Sequence, residues 1–493
     1  MKNERSKEHP DANDTLREQG VDALRARHDR ARKYQGNQKR GLDHQKRLLP
    51  PPSEPMAVAR IFVRDHYRHE DALTLRHWRG GWWAWETTHW VEIPDGVVRS
   101  VLYHFTELAA YVEGDEIVSW SPTRHKITNL TDALAAICVL DADIDQPTWL
   151  DTEGPEVVSV ANGLLDIERR KLIPHTPKYF SQTTVPFDYD PQAPQATRWL
   201  RFLADLWPTE PTAIDVLAQW FGYVISGRTD LHKILLMVGP TRGGKGAIAR
   251  VLTALVGRKN VAGPTLNSLS GEFGLAPLIG KPLAVISDAR FAGRDASTMV
   301  ERLLSISGED TLTVNRKYRD QWTGKLPSRL HILSNELPKL GDASTAIVGR
   351  IVLLLLSHSW LGREDHSLEP DLRRELPAIL NWSLHGLHRL NAADSFTRIT
   401  SAEEAIIAMR DLASPVGAFV REKCKVAADS EIGVDHLYDV FKQWAEANGH
   451  SKKSKEVFGR DLRAAVPSIS KKRPRDENDK RPRSYVGIGL ADT

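Results

Sequence analysis

The sequence predicts an α/β fold: a sheet of buried parallel strands with helices between them, an α+β domain ahead of it, and a basic helical module behind. Three observations predict it. Leu231 to Leu252, LHKILLMVGPTRGGKGAIARVL, is an apolar strand that breaks into a glycine-rich turn and then into a helix. Pro282 to Ser287 and Arg329 to Ser334 repeat the short apolar strand, each with a polar residue at its tip, Asp288 and Asn335. With 493 residues and 41% apolar content, the chain can bury a large core and divides into several domains.

Residues 1–54 read as a charged flexible arm that closes on the stiff run Pro50-Pro51-Pro52. An α+β domain follows over 55–197. It starts with a helix from Met56 to Tyr67, and a hairpin around Gly80-Gly81 carries Trp78, Trp82, Trp83, Trp85 and Trp90. Those indoles either stack on nucleobases or form a core face, and aromatic strands favour the core. Val97 to Val112 and Ile127 to Val139 read as amphipathic helices. Asp141, Asp143 and Asp145 are spaced like a metal-binding acidic cluster, but with no patterned strand before them they read better as a solvated loop. Two strands about the turns Asn162-Gly163 and Arg169-Lys171 then lead into a proline-rich linker.

The central domain is expected over 198–400. A helical stretch from Arg198 to Ile225 turns Trp199, Leu203, Trp207, Val216, Trp220 and Val224 inward. Gly239, Gly244 and Lys245 then stand at G-x-x-x-x-G-K spacing. A turn of that shape wraps phosphates with backbone N–H groups while the lysine reaches the outer ones. The candidate loop is Gly239, Pro240, Thr241, Arg242, Gly243, Gly244, Lys245, Gly246 and Ala247. The following helix aims its positive end at the same anion. So this stretch is expected to be a nucleotide-binding site.

The position after the lysine usually carries a hydroxyl that ligates Mg²⁺, and here Gly246 and Ala247 offer none. Either water completes the coordination, or Thr241 substitutes, or hydrolysis is weak. Asp288 is the candidate metal residue. An acid at a strand tip holds Mg²⁺ or polarises a water, and an amide such as Asn335 orients the attacking water. One carboxylate does not easily do both jobs, so Glu309 or Glu301 is a candidate second acid. Met299 to Ile306 reads as a helix, Thr311 to Val314 as a strand, and Arg316, Lys317, Tyr318 and Arg319 as a cationic turn. Arg350 precedes a last buried strand, where it is either a finger for a neighbour's phosphate or a structural arginine.

From 401 to 493 two short helices, Val434 to Asn448 and Ser454 to Ala465, precede a cationic turn and a strand at Tyr485 to Ile488. That order suits a winged-helix module with Lys471, Lys472, Arg473, Arg475, Lys480, Arg481 and Arg483 in the wing; a solubilising basic tail is the plain alternative. Residues 1 to 50 hold thirteen Lys and Arg against eight Asp and Glu, and residues 471 to 483 seven against three. The two ends therefore sum to +9 and, with the chain at +3, the body to about −6. Basic ends on an acidic body point to a polyanionic partner. No run of about 18 apolar residues exists and the first residues are charged, so no membrane span is expected and the location is cytoplasmic. The two cysteines, Cys138 and Cys424, cannot make a Cys-rich zinc site.

The phosphate loop, the SD-tipped strand, the SGED-to-RKYR segment, the SNELP strand end and the VGR arginine together resemble superfamily 3 helicases of the AAA+ class. More closely, residues 55 to 490 resemble the phage and plasmid primase-helicase family, whose C-terminal half is shared with the poxvirus primase-helicase. The resemblance implies a P-loop AAA+ core with a C-terminal winged helix, assembled as a ring, a homo-hexamer, that hydrolyses ATP while moving on single-stranded and forked DNA in a bacterial host cell. It implies catalytic roles for Lys245, Asp288, Asn335 and Arg350, the last acting in trans. It also implies DNA contacts from Arg316, Lys317, Arg319 and Lys325 near a channel hairpin. No primer-synthesising site is evident in the residues, so a separate primase is an expected partner. The alternative is an ATP-binding replication initiator with little hydrolysis.

Overall fold

The computed structural model describes residues 47–151, 153–287, 296–317, 319–338, 345–450, 453–472 and 483–491. Helix α1, Pro55–His66, opens with proline in its first turn, where the missing N–H costs nothing. Strands β1 (Leu75–Trp78), β2 (Gly81–Trp85) and β3 (Trp90–Ile93) form an antiparallel sheet. Its first turn is Arg79-Gly80, one residue earlier than expected, and both residues have positive φ, at 47° and 73°. Two such residues match the strand twist. Side chains alternate across the sheet. Leu75, Trp82, Ala84 and Ile93 face a core with Phe62, Leu102 and Leu134, while Trp78, Trp83, Trp85 and Trp90 pack on Phe180. All five tryptophans are buried, so they serve as core.

Helix α2, Asp95–Glu107, ends five residues before the expected Val112. Ala110–Glu113 pairs instead with Glu116–Ser119 about Gly114-Asp115. A two-residue turn with Gly114 at φ 61° lets the β-branched Val112 and Ile117 meet directly across the ladder, which a helix would forbid. Helix α3, Arg124–Cys138, starts from Thr123, whose hydroxyl accepts from the Lys126 N–H. The Asn162 turn and the Arg169 turn join three strands, one more than expected: β4 (Val157–Val160), β5 (Gly163–Asp166) and β6 (Lys171–Ile173). Val158, Val160 and Leu165 pack into the main core of the chain, together with residues as far on as Met409.

The expected single helical stretch is two helices, α4 (Thr197–Leu206) and α5 (Thr212–Ser226), separated by a segment that contains Pro208 and Pro211. Strand β7 (Ile234–Val238) is wholly buried and leads through the glycine turn into α6 (Lys245–Val256). The sheet is completed by β8 (Val261–Ala262), β9 (Leu283–Ile286), β12 (Arg329–Ser334) and β13 (Ile351–Leu355), in the order β8-β9-β12-β7-β13, every neighbouring pair parallel. Helix α7 (Ala296–Ser307) and the hairpin β10 (Leu312–Arg316) and β11 (Arg319–Gly324) lie between β9 and β12 in the chain. Helix α8 (Leu376–Ala393) crosses α5 at two glycines. A Cβ on Gly386 would stand 2.2 Å from the Ala218 carbonyl, and one on Gly222 would stand 2.6 Å from Leu387.

After α9 (Thr400–Ala413) a separate small core forms from α10 (Pro415–Lys423), α11 (Val434–Ala447) and α12 (Lys455–Ala465), with Phe419, Phe441, Phe458 and Tyr485 at its centre. Three short antiparallel strands edge it in the order β14 (Glu431–Gly433), β16 (Ser484–Val486), β15 (Ser470–Lys472). Among the described residues no helix is long and apolar enough to cross a membrane.

Candidate functional site

Parallel pairing brings the carboxyl ends of β7, β9, β12 and β13 to one edge, and ligands of open α/β sheets bind at that edge. Gly239 leaves β7 there and donates its N–H to the Ser334 carbonyl of β12, 3.2 Å away. Three glycines of the turn have no room for a side chain. A Cβ would come 2.5 Å from the Leu356 oxygen at Gly239, 2.8 Å from the Pro240 oxygen at Gly243, and 2.8 Å from the Leu206 side chain at Gly244, whose φ is +90°.

Lys245 is the first residue of α6 and is only 8% exposed. Its ammonium donates to the Gly239 oxygen at 2.5 Å, the Pro240 oxygen at 2.8 Å and Asn335 Oδ1 at 3.1 Å. Thus the loop lysine and the amide at the tip of the neighbouring strand address the same small volume. The N–H groups of Gly246 and Ala247 lie in the first helical turn, where no carbonyl of the helix can accept them. A glycine cradle, a lysine and a helix N-terminus form a donor set that fits a phosphate chain.

Residues 357–369, just past β13, brace the loop from outside, a feature with no motif to announce it. Ser359 Oγ donates to the Thr241 oxygen at 2.8 Å and the Trp360 N–H to the Arg242 oxygen at 3.1 Å. Arg242 pairs with Glu364 at 3.4 Å and Arg250 with Glu369 at 2.8 Å. The readable signal was the acidic run Glu364, Asp365 and Glu369 after the last buried strand, complementary to two arginines of the loop and its helix.

The acidic part of the site is not described: Asp288 lies outside the described residues, although its strand β9 sits beside β12 as the Asn335 position requires. Of the two candidate second acids, Glu309 does not reach the loop. Glu309 accepts from Thr229 Oγ1, on the segment before β7, and so stands at the amino-terminal edge of the sheet, opposite the glycine turn. Glu301 is exposed on α7. Among the described residues no group of three or more His, Cys, Asp or Glu side chains is arranged to hold a metal. That includes the aspartate triplet, where Asp141 accepts its own turn's Asp143 N–H and Asp145 pairs with Arg79 and Lys325.

Arg350 also stands at the amino-terminal edge, just before β13, and its guanidinium donates to the Leu304 oxygen at 2.5 Å and Ser307 Oγ at 2.9 Å, at the end of α7. In its own chain it therefore acts as a cap on a helix C-terminus. Arg316 and Arg319 pair across the hairpin, so the cationic residues expected in a turn are the last and first residues of its strands, with Lys317 exposed in the turn. Tyr318 lies outside the described residues. Lys325 follows β11 at the root of the hairpin and meets Asp145 at 3.4 Å. Lys471 and Lys472 are exposed on β15 and Arg483 is exposed just before β16; Arg473, Arg475, Lys480 and Arg481 lie outside the described residues.

Three family models match the chain in order. The "D5 N terminal like" model matches residues 60–208, a family of unknown function (DUF5906) matches residues 237–350, and the "Poxvirus D5 protein-like" model matches residues 413–492. Among solved structures, the apo NrS-1 C-terminal region (305–718) is 11% identical, with 88% of this chain and 99% of that one covered and a TM-score of 0.47. An A-form apo structure of the same region is 10% identical over 84% and 96%, with a TM-score of 0.46.

Proposed function

The chain belongs to the D5-like primase-helicase family, and from that premise we propose that it is an ATP-driven DNA helicase of a replication system that has no primer-synthesising site of its own. The observation that carries the reading is the Lys245 ammonium held between the loop carbonyls and Asn335 Oδ1, across the tips of two adjacent parallel strands. The strand order β8-β9-β12-β7-β13, with the lysine strand one place in from the edge, supports an AAA+ core of superfamily 3 type.

In this reading the substrate is ATP. Lys245 and the N–H groups of the turn bind its phosphates, and Asn335 fixes the lysine and orients the attacking water. Mg²⁺, when bound, draws charge from the phosphate oxygens; Asp288 would hold it, since Gly246 and Ala247 have no side-chain oxygen to offer. Arg350 acts on a neighbouring subunit's phosphate in a ring, released from its hold on Leu304 and Ser307 when the subunits close. The hairpin residues Arg316, Lys317 and Arg319 contact the backbone of single-stranded DNA, and Lys471, Lys472 and Arg483 contact duplex in the manner of a winged helix.

The test is phosphate release from Mg²⁺-ATP with and without single-stranded DNA, and unwinding of a forked duplex. Stimulation by DNA, abolished in Lys245→Ala, is the expected result. A second reading is an initiator that binds ATP to assemble but barely turns it over, favoured by the missing hydroxyl and by the distance of Glu309 from the loop. Tight ATP binding with no DNA-stimulated release in the wild type would select it over the motor.

A further inference from the structure

The hairpin of Ala110–Glu113 and Glu116–Ser119 leaves one face bare. Side chains alternate along a strand, so Val112 and its cross-strand partner Ile117 share a face with Ala110, and Leu48, which bridges Ala110 from the other side, stands on that face too. Ala110 is covered, but Leu48 is 56%, Val112 56% and Ile117 66% exposed. Tyr111, on the reverse face, packs against the core around Phe62 and Leu102, so the bare face is the outward one. A single exposed apolar residue is ordinary, whereas three together on neighbouring strands form a patch of the kind that takes a partner.

The rim of the patch is acidic. From Glu107 to Ser119 the chain carries Glu107, Glu113, Asp115 and Glu116 and no lysine, arginine or histidine. All four are exposed. Glu107 meets His104 at 3.3 Å and Glu113 accepts from the Tyr111 hydroxyl at 3.3 Å, while Asp115 and Glu116 stand at the turn. An occupant that fits has apolar side chains and a surplus of positive charge.

A segment of that description enters the domain at this same strand. The Ala110 N–H donates to the Arg47 oxygen at 2.9 Å and the Leu49 N–H to the Ala110 oxygen at 2.8 Å, so the chain arrives alongside the hairpin. Residues 1–46, which precede it, lie outside the described residues. Within them Val21 to Tyr34, VDALRARHDRARKY, mixes Val21, Leu24 and Tyr34 with five cations and only two carboxylates. Residues 35–46 join that stretch to Arg47, and twelve residues reach up to about 40 Å at roughly 3.3 Å each. The bare face is only about 10 Å across, two strand spacings. Reach is therefore ample, and a tether of this length supplies its own end at an effective concentration on the order of mM.

We propose that residues 21–34 dock on this face of their own chain, with Val21, Leu24 and Tyr34 over Leu48, Val112 and Ile117 and the cations against Glu113, Asp115 and Glu116. The docking needs neither nucleotide nor DNA, so it stands apart from the motor reading.

The experiment is zero-length carbodiimide cross-linking of the full chain, in an equal mixture of nitrogen-15-labelled and unlabelled protein that separates links within a chain from links between copies. Lys33 is expected to join Glu113, Asp115 or Glu116 within one chain. The double variant Val112→Thr, Ile117→Thr keeps β-branched side chains, the tether and every carboxylate, and in it the link should fall at least fivefold. A second variant, Arg30→Glu with Arg32→Glu, leaves the hairpin untouched and should lower the link to a similar extent, as should salt at about 0.5 M. Links found only between labelled and unlabelled chains would give the face to a second copy. A Lys33 link that ignores all four substitutions would show mere tethering, and no link at all would leave the face empty; each of these three results overturns the proposal.

Discussion

Asn335 holds the Lys245 ammonium through one amide oxygen 3.1 Å away, so under the proposed function its loss should be felt in turnover and little in affinity. Asn335→Ala is expected to lower steady-state ATP hydrolysis by about 10²-fold, with nucleotide affinity within about threefold, as measured by phosphate release and equilibrium binding. A second residue speaks to pH. His331 sits fully buried in the middle of the parallel sheet, and desolvation pushes its pKa down to about 3. The unfolded chain takes up this proton below about pH 6.5 and the folded chain does not, so stability is present above that pH and is lost on acidification towards 3. Between pH 7 and 5 the loss due to this one group should be about 2 kcal/mol, and His331→Leu should remove it, which urea titrations at the two pH values would reveal. At this scale the sequence was informative where chemistry is local. G-x-x-x-x-G-K spacing announces its own turn, whereas the placement of Glu309 and Arg350 at the far edge of the sheet depends on strand order, which no spacing encodes.

Among the elements, the α5–α8 crossing is a close backbone contact of the core. Gly386→Ala puts a Cβ 2.2 Å from a backbone carbonyl of α5, and overpacking of this kind costs about 1–3 kcal/mol, more if the helices cannot part. A fall in thermal midpoint with unchanged secondary structure is the expected outcome. Arg350 tests a different link, between the end of α7 and β13. Arg350→Ala should destabilise the chain by about 1 kcal/mol through its lost helix cap. If the residue also acts across subunits, mixing the variant into wild type should depress ATP hydrolysis beyond simple dilution. Strand boundaries were legible where apolar runs were bounded by glycine or proline, as at β7 and β12, whereas the α4–α5 break reads through as one helix in the sequence although Pro208 and Pro211 mark it. They were illegible at Ala110–Glu113, because a helical period and a short hairpin share the same residues and only the Gly114 turn decides between them.

For the molecule as a whole, the proposed DNA contacts are cationic, with Lys317, Lys471, Lys472 and Arg483 exposed, so binding should weaken steeply with salt. Removing residues 414–493 should reduce the slope of log affinity against log salt, as read in a fluorescence anisotropy series. The overall plan was readable from the ordered motifs, because the phosphate loop, the SD pair and the SNELP run each close a strand of one sheet; of the clasp formed by residues 357–369 only the acidic run was visible, because pairing across a hundred positions leaves no local trace of its partner. Helix α4 carries the last consequence. Its Leu206 side chain is the floor on which Gly244 rests, and Trp207 Nε1 ties it to the Leu355 carbonyl at 2.7 Å. Anyone trimming the gene to isolate the parallel-sheet core should therefore place the cut upstream of Thr197. A piece beginning at residue 209, where the first matched segment stops, would be born without the slab beneath its own glycine turn.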